Sequence, residues 1–304
     1  MKKEALGISS RPALIKNKAG WTCCMRVSSQ TDMFLEKLLL YAKTLLTARD
    51  VKSFYNAFLV KLEDEVLVEK LRWPRRIGAR KQNVVNFDIS FYCDNHAVSM
   101  YYEIFGAHAY SFFQGFEPRN CDIIMDIGAN QGIFTCYAAK RAQCGWVYAI
   151  EPDIDNVLWL KTHLELNQIS NATVIPKCVG DRTGKAYFRK GDSSGTGCVV
   201  DGSEPGPGIA EVDQVTIEEL MTAYSLTKID LLKIDVEGFE ARVLSGAAKQ
   251  LGSIRRIVLE YHSPTLGEQV IRLLQQKGFR MQQASSPTRS HILYFENNAL
   301  CGRR

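Results

Sequence analysis

With 304 residues, 46% of them hydrophobic and 23% charged, the chain is long enough for one large domain, with or without an extension, and needs no disulfide or metal staple. Its nine cysteines are odd in number and scattered, with no CxxC pair, which argues against a zinc ribbon or a disulfide framework and for a reducing compartment. The net charge of +5 is uneven, with 17 basic against 8 acidic residues through Gln82 and 21 against 25 beyond it.

Residues 1–21 are basic but lack the apolar stretch of a signal peptide. No segment reads as a membrane span, because the most apolar run, 34–46, is interrupted by Glu36, Lys37 and Lys43. A soluble, cytoplasmic protein is expected. Apolar residues then recur at helical spacing, first Phe34, Leu35, Leu38 and Leu39, later Phe54, Phe58, Leu62 and Val66, until Pro74 and Gly78. We read 1–82 as a basic, largely helical extension, acting as a cap or as the surface of a homo-oligomer, and 83–304 as the main domain. The cluster Arg72, Arg75, Arg76, Arg80 and Lys81 suits either a solvated linker or a phosphate or acidic glycan. No aromatic-interleaved RNA-binding motif accompanies it, and no nucleic-acid partner is expected.

Residues 84–93 alternate Val85, Phe87, Ile89 and Phe91 with polar neighbours, as a half-buried strand does. An aromatic-rich, partly helical stretch follows, with Tyr101, Tyr102, Phe105, Tyr110, Phe112 and Phe113 as core or as a stacking surface for a sugar ring. From Asp122 onward short apolar strands alternate with amphipathic helices, the signature of a parallel sheet. The strands fall at 123–127, 147–150, 173–179, 231–234 and 257–261, and the helices at 133–141, 154–167, 239–251 and 266–277. Residues 279–283 and 291–295 form a closing, hairpin-like pair.

The run Asp126-Ile-Gly-Ala-Asn-Gln-Gly-Ile-Phe134 follows an apolar strand and opens a helix. Gly128 permits a sharp turn and Gly132 a close approach to a ligand, and the helix N-terminus offers N–H groups to an anion. Dinucleotide enzymes use glycine loops too, so a nicotinamide-dependent oxidoreductase is the competing reading. Two features favour S-adenosylmethionine. The glycines are spaced Gly128-x-x-x-Gly132, and Asp126 would hold an ammonium group but repel a pyrophosphate. Asn130 and Phe134 belong to the same expected cofactor site. Glu151, 23 residues after Gly128, is placed to accept the ribose hydroxyls. Asp153 flanks the adenine in this reading, and Asp181 either accepts from the adenine amino group or serves a turn.

Transfer from an activated sulfonium needs in-line positioning of the acceptor, and a protonated acceptor needs a base to take its proton. The fourth strand delivers Lys233-Ile-Asp-Val-Glu-Gly-Phe-Glu240 and the fifth ends in Glu260-Tyr-His262. Because ligands of such sheets sit beyond the carboxyl ends of the strands, Asp235, Glu237, Glu260 and His262 are the expected catalytic group, with His262 the candidate base. The three carboxylates can orient it, bind substrate hydroxyls or hold a hard divalent cation, although no metal is expected. The small polar loop 191–197 can close over the acceptor with Ser194 and Thr196 donating hydrogen bonds.

Taken together, "DIGANQGIFT", "AIEPDIDN", "CVGDRTGKAYF", "TIEEL", "DLLKIDVEGFEARVLSGA" and "IVLEYH" resemble the FkbM family of methyltransferases, from about Tyr110 to Glu296. The resemblance implies a class I, Rossmann-like α/β fold with a seven-stranded, mostly parallel sheet. It also implies S-adenosylmethionine-dependent O-methylation of a hydroxyl on a sugar, glycan or secondary metabolite. A non-catalytic cofactor-binding or interaction protein is the remaining alternative, opposed by the intact Asp235, Glu237, Glu260 and His262.

Overall fold

A strand covered on both faces is apolar at every position, and that is how the strand segments beyond Asp122 read. In the computed structural model the described residues are 80–86, 89–93, 97, 100–106, 110, 115–191, 197–200, 206–282 and 291–301. All lie in the Lys43–Arg304 unit of the chain. The expected N-terminal helices lie outside the described residues, as do Arg72, Arg75 and Arg76.

The apolar segments form β3 (Ile123–Ile127), β4 (Trp146–Ile150), β5 (Ala172–Ile175), β10 (Leu231–Ile234) and β11 (Arg256–Glu260). These join β12 (Phe279–Gln282) and β13 (Ile292–Asn297) in a seven-stranded sheet ordered β12-β13-β11-β10-β3-β4-β5. Strands β5, β4, β3, β10 and β11 run parallel, and β13 is antiparallel to both β11 and β12. Successive side chains point to opposite faces, so each strand feeds two cores. Ile124, Val147, Leu231 and Val258 pack on one face with Ile133, Cys136 and Ala139 of α1 (Ile133–Arg141) and Leu160 and Leu164 of α2 (Ile154–Leu166). Met125, Ile127, Leu232 and Leu259 pack on the other face. There they meet Leu220 of α3 (Ile217–Ala223), Leu244 of α4 (Glu240–Gly246), and Val270 and Leu274 of α5 (Pro264–Gln276). The expected fold class, with its closing antiparallel pair, is the one observed.

The structure departs from the sequence reading in three places. Residues 84–93 are not one strand: β1 (Arg80–Asn86) and β2 (Ile89–Cys93) pair antiparallel, with Asn86 opposite Ile89. The segment 173–179 is also divided. Pro176 has no N–H to continue the ladder, so β5 stops at Ile175 and β6 (Cys178–Val179) joins a second sheet. That four-stranded sheet, ordered β6-β9-β7-β8, adds β7 (Gly184–Arg189), β8 (Cys198–Val200) and β9 (Ile209–Val215). Nothing in the sequence reading anticipated it.

Third, the cysteines are not all free. Cys121 precedes β3 and Cys144 precedes β4, and these adjacent parallel strands start at the same end of the sheet. Their Cα atoms lie 4.7 Å apart and the two residues are joined in a disulfide. The cysteines therefore no longer argue for a reducing compartment. Cys136, Cys178 and Cys198 are free. The bridge closes a loop across 23 residues of sequence, and loop-closure entropy for such a span is worth about 3 kcal/mol. Both cysteines are exposed, so dithiothreitol should lower the stability measured by urea unfolding by up to that amount, and a Cys121→Ser, Cys144→Ser double variant should match the reduced protein. Identical unfolding curves with and without reductant would show that the bridge contributes nothing. Among the described residues no helix is long and apolar enough to cross a membrane.

Candidate active site

The loop after β3 turns through three residues with left-handed backbone: Gly128 (φ 77°), Asn130 (φ 52°) and Gly132 (φ 81°). A Cβ on Gly128 would lie 1.7 Å from the carbonyl oxygen of Asp235, so glycine is what lets this loop rest on the end of β10. The room beside Gly132 is taken by Leu160, whose Cδ1 would lie 2.0 Å from an added Cβ. That corrects the sequence reading: Gly132 admits α2, not a ligand. The N–H groups of Gly128 and Ala129 donate to the Ile150 carbonyl at the end of β4 (3.0 and 3.1 Å). The Gln131 carbonyl accepts from His163 Nδ1 (2.7 Å), while His163 Nε2 accepts from the Tyr92 N–H (3.1 Å), which ties the β1–β2 hairpin to the same loop.

Asp126 does not face a ligand. Its side chain is completely buried, accepts from Thr135 Oγ1 (2.6 Å) and pairs with Lys233 Nζ (3.1 Å). Lys233, also buried, donates to the Gly128 carbonyl (2.9 Å). Burial alone would depress the Lys233 ammonium, but the charges of Asp126 and Asp235 outweigh it and hold its pKa above the usual value. The expected ammonium-binding carboxylate is thus part of an internal brace, and its charge does not distinguish one cofactor from another.

Glu151 closes β4 with both oxygens engaged, Oε2 by the Asn130 N–H (2.8 Å) and Oε1 by the Asp153 N–H (2.9 Å). Burial pushes its carboxyl up to about 7 despite these bonds. It lines a cleft of about 590 Å³, counting space open to solvent. Ile150, Phe188, Val199 and Phe239 form apolar walls, and Asn130, Asn156, Lys177, Asp235 and Glu237 are the other polar or charged side chains on its surface. Of the nine expected cofactor residues, Gly128, Asn130, Glu151 and Asp235 line this space, and the other five, Asp126 included, do not. Gly132 and Phe134 are packed inside. Asp153 caps α2 by accepting from the Asp155 N–H (2.9 Å), and Asp181 pairs with Arg242 (3.3 Å). Ser194 and Thr196 lie outside the described residues, although Gly197 reaches the cleft. Sequence reasoning missed Asn156, Lys177, Phe188, Val199 and Phe239. Asn156, Phe188 and Phe239 stand inside the quoted motifs, although Phe188, like Val199, is brought to the cleft by the unforeseen second sheet.

Asp235, Glu237, Glu260 and His262 do converge. Tyr110, buried behind them, reaches Asp235 Oδ2 (3.1 Å) and Glu260 Oε2 (3.3 Å) through its hydroxyl. Burial, then the charges of Asp235 and Glu103, push Glu260 up to about 8. His262 Nε2 lies 3.3 Å from Glu237 and 3.8 Å from Asp235, and Nδ1 lies 2.7 Å from Glu240. Burial would depress the imidazole, but the Glu240 hydrogen bond and the charges of Asp235, Glu237 and Glu240 prevail and raise it to about 9. A base must be unprotonated at working pH, and the carboxylates gathered around His262 favour its protonated form, which argues against the expected role as base. Among the described residues no three His, Cys, Asp or Glu side chains are gathered as metal ligands.

The strand order and the cleft beyond the carboxyl ends of β3, β4 and β10 define a class I methyltransferase architecture. The chain belongs to the FkbM methyltransferase family, with residues 126–281 matching the domain described as "Methyltransferase FkbM domain". It is similar to the hexuronic acid methyltransferase AglP of Haloferax volcanii, 27% identical over 162 residues, covering 53% of this chain and 64% of that protein. It is also similar to the 31-O-demethyl-FK506 methyltransferase FkbM of Streptomyces tacrolimicus, 28% identical over 254 residues, covering 73% and 92%. A crystal structure of methyltransferase FkbM from Methylobacillus flagellatus aligns with 87% of this chain and 60% of its own, at 17% identity and a TM-score of 0.45. The match thus spans less than two thirds of the length of AglP and of the Methylobacillus chain.

Proposed function

We propose that the chain transfers a methyl group from S-adenosylmethionine to a hydroxyl oxygen of an uncharged, polyhydroxylated acceptor, a sugar, glycan or secondary metabolite. One observation carries this reading. One cleft is lined both by the strand-end carboxylate Glu151 with apolar walls and by the Asp235 and Glu237 carboxylates. The donor set fits the cofactor: Glu151 can accept from ribose hydroxyls, and Ile150, Phe188, Val199 and Phe239 offer apolar surface to an adenine. When bound, the cofactor supplies a methyl group already activated on a sulfonium.

The protein's own residues then have two tasks. Asp235 and Glu237, each about a quarter to a third exposed, accept hydrogen bonds from acceptor hydroxyls and fix one oxygen in line. Asp235 takes the proton that this oxygen loses. The charged carboxylates outnumber His262 at this end, and Lys233 is already engaged inside, so a neutral polyol suits the crevice better than an anion. The relatives named for a hexuronic acid and for 31-O-demethyl-FK506 support an oxygen-bearing acceptor.

Titration calorimetry with S-adenosylhomocysteine tests the cofactor assignment. The wild type should bind it and should not bind NADH. At pH 8.5, above the value of about 7 to which burial pushes its carboxyl, Glu151→Ala removes a charged acceptor, worth about 1.5–3 kcal/mol per hydrogen bond, and should weaken binding about 10- to 100-fold. A wild type that binds NADH and not S-adenosylhomocysteine would reverse the assignment.

A further inference from the structure

Glu240 is the last residue of the Lys233–Glu240 run, and no site role was expected for it. It opens α4 and is completely buried. Its Oε1 accepts from the Gly238 N–H (2.8 Å) and lies 2.7 Å from His262 Nδ1, while its Oε2 is buried without a hydrogen-bond partner. A buried carboxylate is costly unless its bonds accomplish something. These two bonds join the two loops that carry the acidic end of the cleft.

On one side stands the turn after β10. Glu237 (φ 51°) and Gly238 (φ 100°) are consecutive left-handed residues, a conformation that a non-glycine residue holds only when its surroundings enforce it. The bond from Gly238 to Glu240 pins that turn. On the other side stands His262. With Nδ1 against Glu240 and Nε2 against Glu237 at 3.3 Å, the ring can donate from both nitrogens only as an imidazolium. The titratable groups around it are Glu240 of α4, Asp235 and Glu237 after β10, and Glu260 at the end of β11, with Lys233 the next cation beyond Asp235.

We propose that Glu240 is a positioning residue, which fixes His262 as a cation and through it holds Glu237 at the acceptor end of the cleft. The role rests on the methyltransferase reading and adds to it a residue that need not touch either substrate. The ring's tendency to keep its proton up to about pH 9 agrees with this geometry.

The test is ¹⁵N NMR of the histidine side chains in the full chain, with His262→Gln used to assign the signal and S-adenosylhomocysteine calorimetry run in parallel. In the wild type both His262 nitrogens should be protonated at pH 7.5. In Glu240→Gln the amide oxygen still accepts from Gly238, but the charge is gone, so the ring should titrate near the ordinary histidine range of about 6.5 and be neutral at pH 7.5. Affinity for S-adenosylhomocysteine should stay within about twofold, since Glu240 does not line the cofactor cleft. A neutral His262 in the wild type, or one that keeps its proton in Glu240→Gln, overturns the proposal. If Glu240→Gln does not fold, Glu240→Asp, which withdraws the charge by one methylene, must still make the ring easier to deprotonate, and an unchanged titration there overturns it equally. Failure of the wild type to bind S-adenosylhomocysteine would instead reject the cofactor reading and leave the histidine result standing.

Discussion

Lys233→Met should lower the unfolding free energy by about 3–5 kcal/mol, the usual cost of stripping one partner from a buried ion pair. The substitution keeps most of the volume and removes the charge. It would leave Asp126 completely buried with Thr135 as its remaining hydrogen-bond partner. It would also remove the donor to the Gly128 carbonyl and the ammonium that sits 5.1 Å from the centre of the Tyr110 ring and 5.8 Å from that of Phe134. Urea unfolding measures the effect. Adding Asp126→Asn to Lys233→Met should recover a large part of the loss, because no uncompensated charge then remains inside. Lys249→Met, on a side chain 81% exposed, should change stability by no more than about 0.5 kcal/mol. A Lys233→Met protein within 1 kcal/mol of wild type would mean that Asp126 takes up a proton at little cost, and the brace would have no energetic standing. Because Lys233 holds the loop that shapes the cleft, the same variant should also bind S-adenosylhomocysteine more weakly.

This brace shows where sequence reading stops. The position of Asp126 before the first glycine is local and was legible; its partner is on β10, and only the parallel pairing of β3 with β10, which sets Asp126 beside Lys233, reveals that the carboxylate is already neutralised. The seven-stranded sheet was legible because its strands are short, largely apolar runs bounded by turn residues, and α5 because its apolar periodicity is strong. The second sheet was not, since β7 and β9 are partly exposed along their length and give a weak apolar pattern. Asp153 carries a local role that was readable and went unread: an aspartate directly before a helix is an N-cap, and the bond from the Asp155 N–H shows it acting as one. His262 was placed correctly at its strand end. What could not be read was its charge, because that depends on Glu240, a residue whose sequence position says only that it starts a helix.

Asp235→Asn should separate chemistry from folding most sharply. Methyl transfer should fall by about 10²- to 10⁴-fold, the range that a positioned base contributes, while thermal stability and S-adenosylhomocysteine affinity stay near wild type. The backbone of Asp235 is held by its N–H bond to Ile127 (3.0 Å), and asparagine keeps an oxygen for the Tyr110 hydroxyl. What asparagine cannot do is take a proton from the acceptor. Tyr110 and Lys233 both lie toward Oδ2 (3.1 and 3.9 Å), whereas Oδ1 is 3.8 Å from His262 Nε2, beyond hydrogen-bond reach. That oxygen is therefore open to an acceptor hydroxyl. The measurement is transfer of labelled methyl from S-adenosylmethionine to the best acceptor in a panel of neutral glycosides, for wild type, Asp235→Asn and His262→Gln. If Asp235 takes the proton, Asp235→Asn should lose activity across the whole pH range, whereas His262→Gln should retain a larger share of turnover because it displaces the carboxylates without removing the base. The reverse ranking, with Asp235→Asn active and His262→Gln inactive, would return the base to the imidazole and require that acceptor binding pull His262 out of its carboxylate cage.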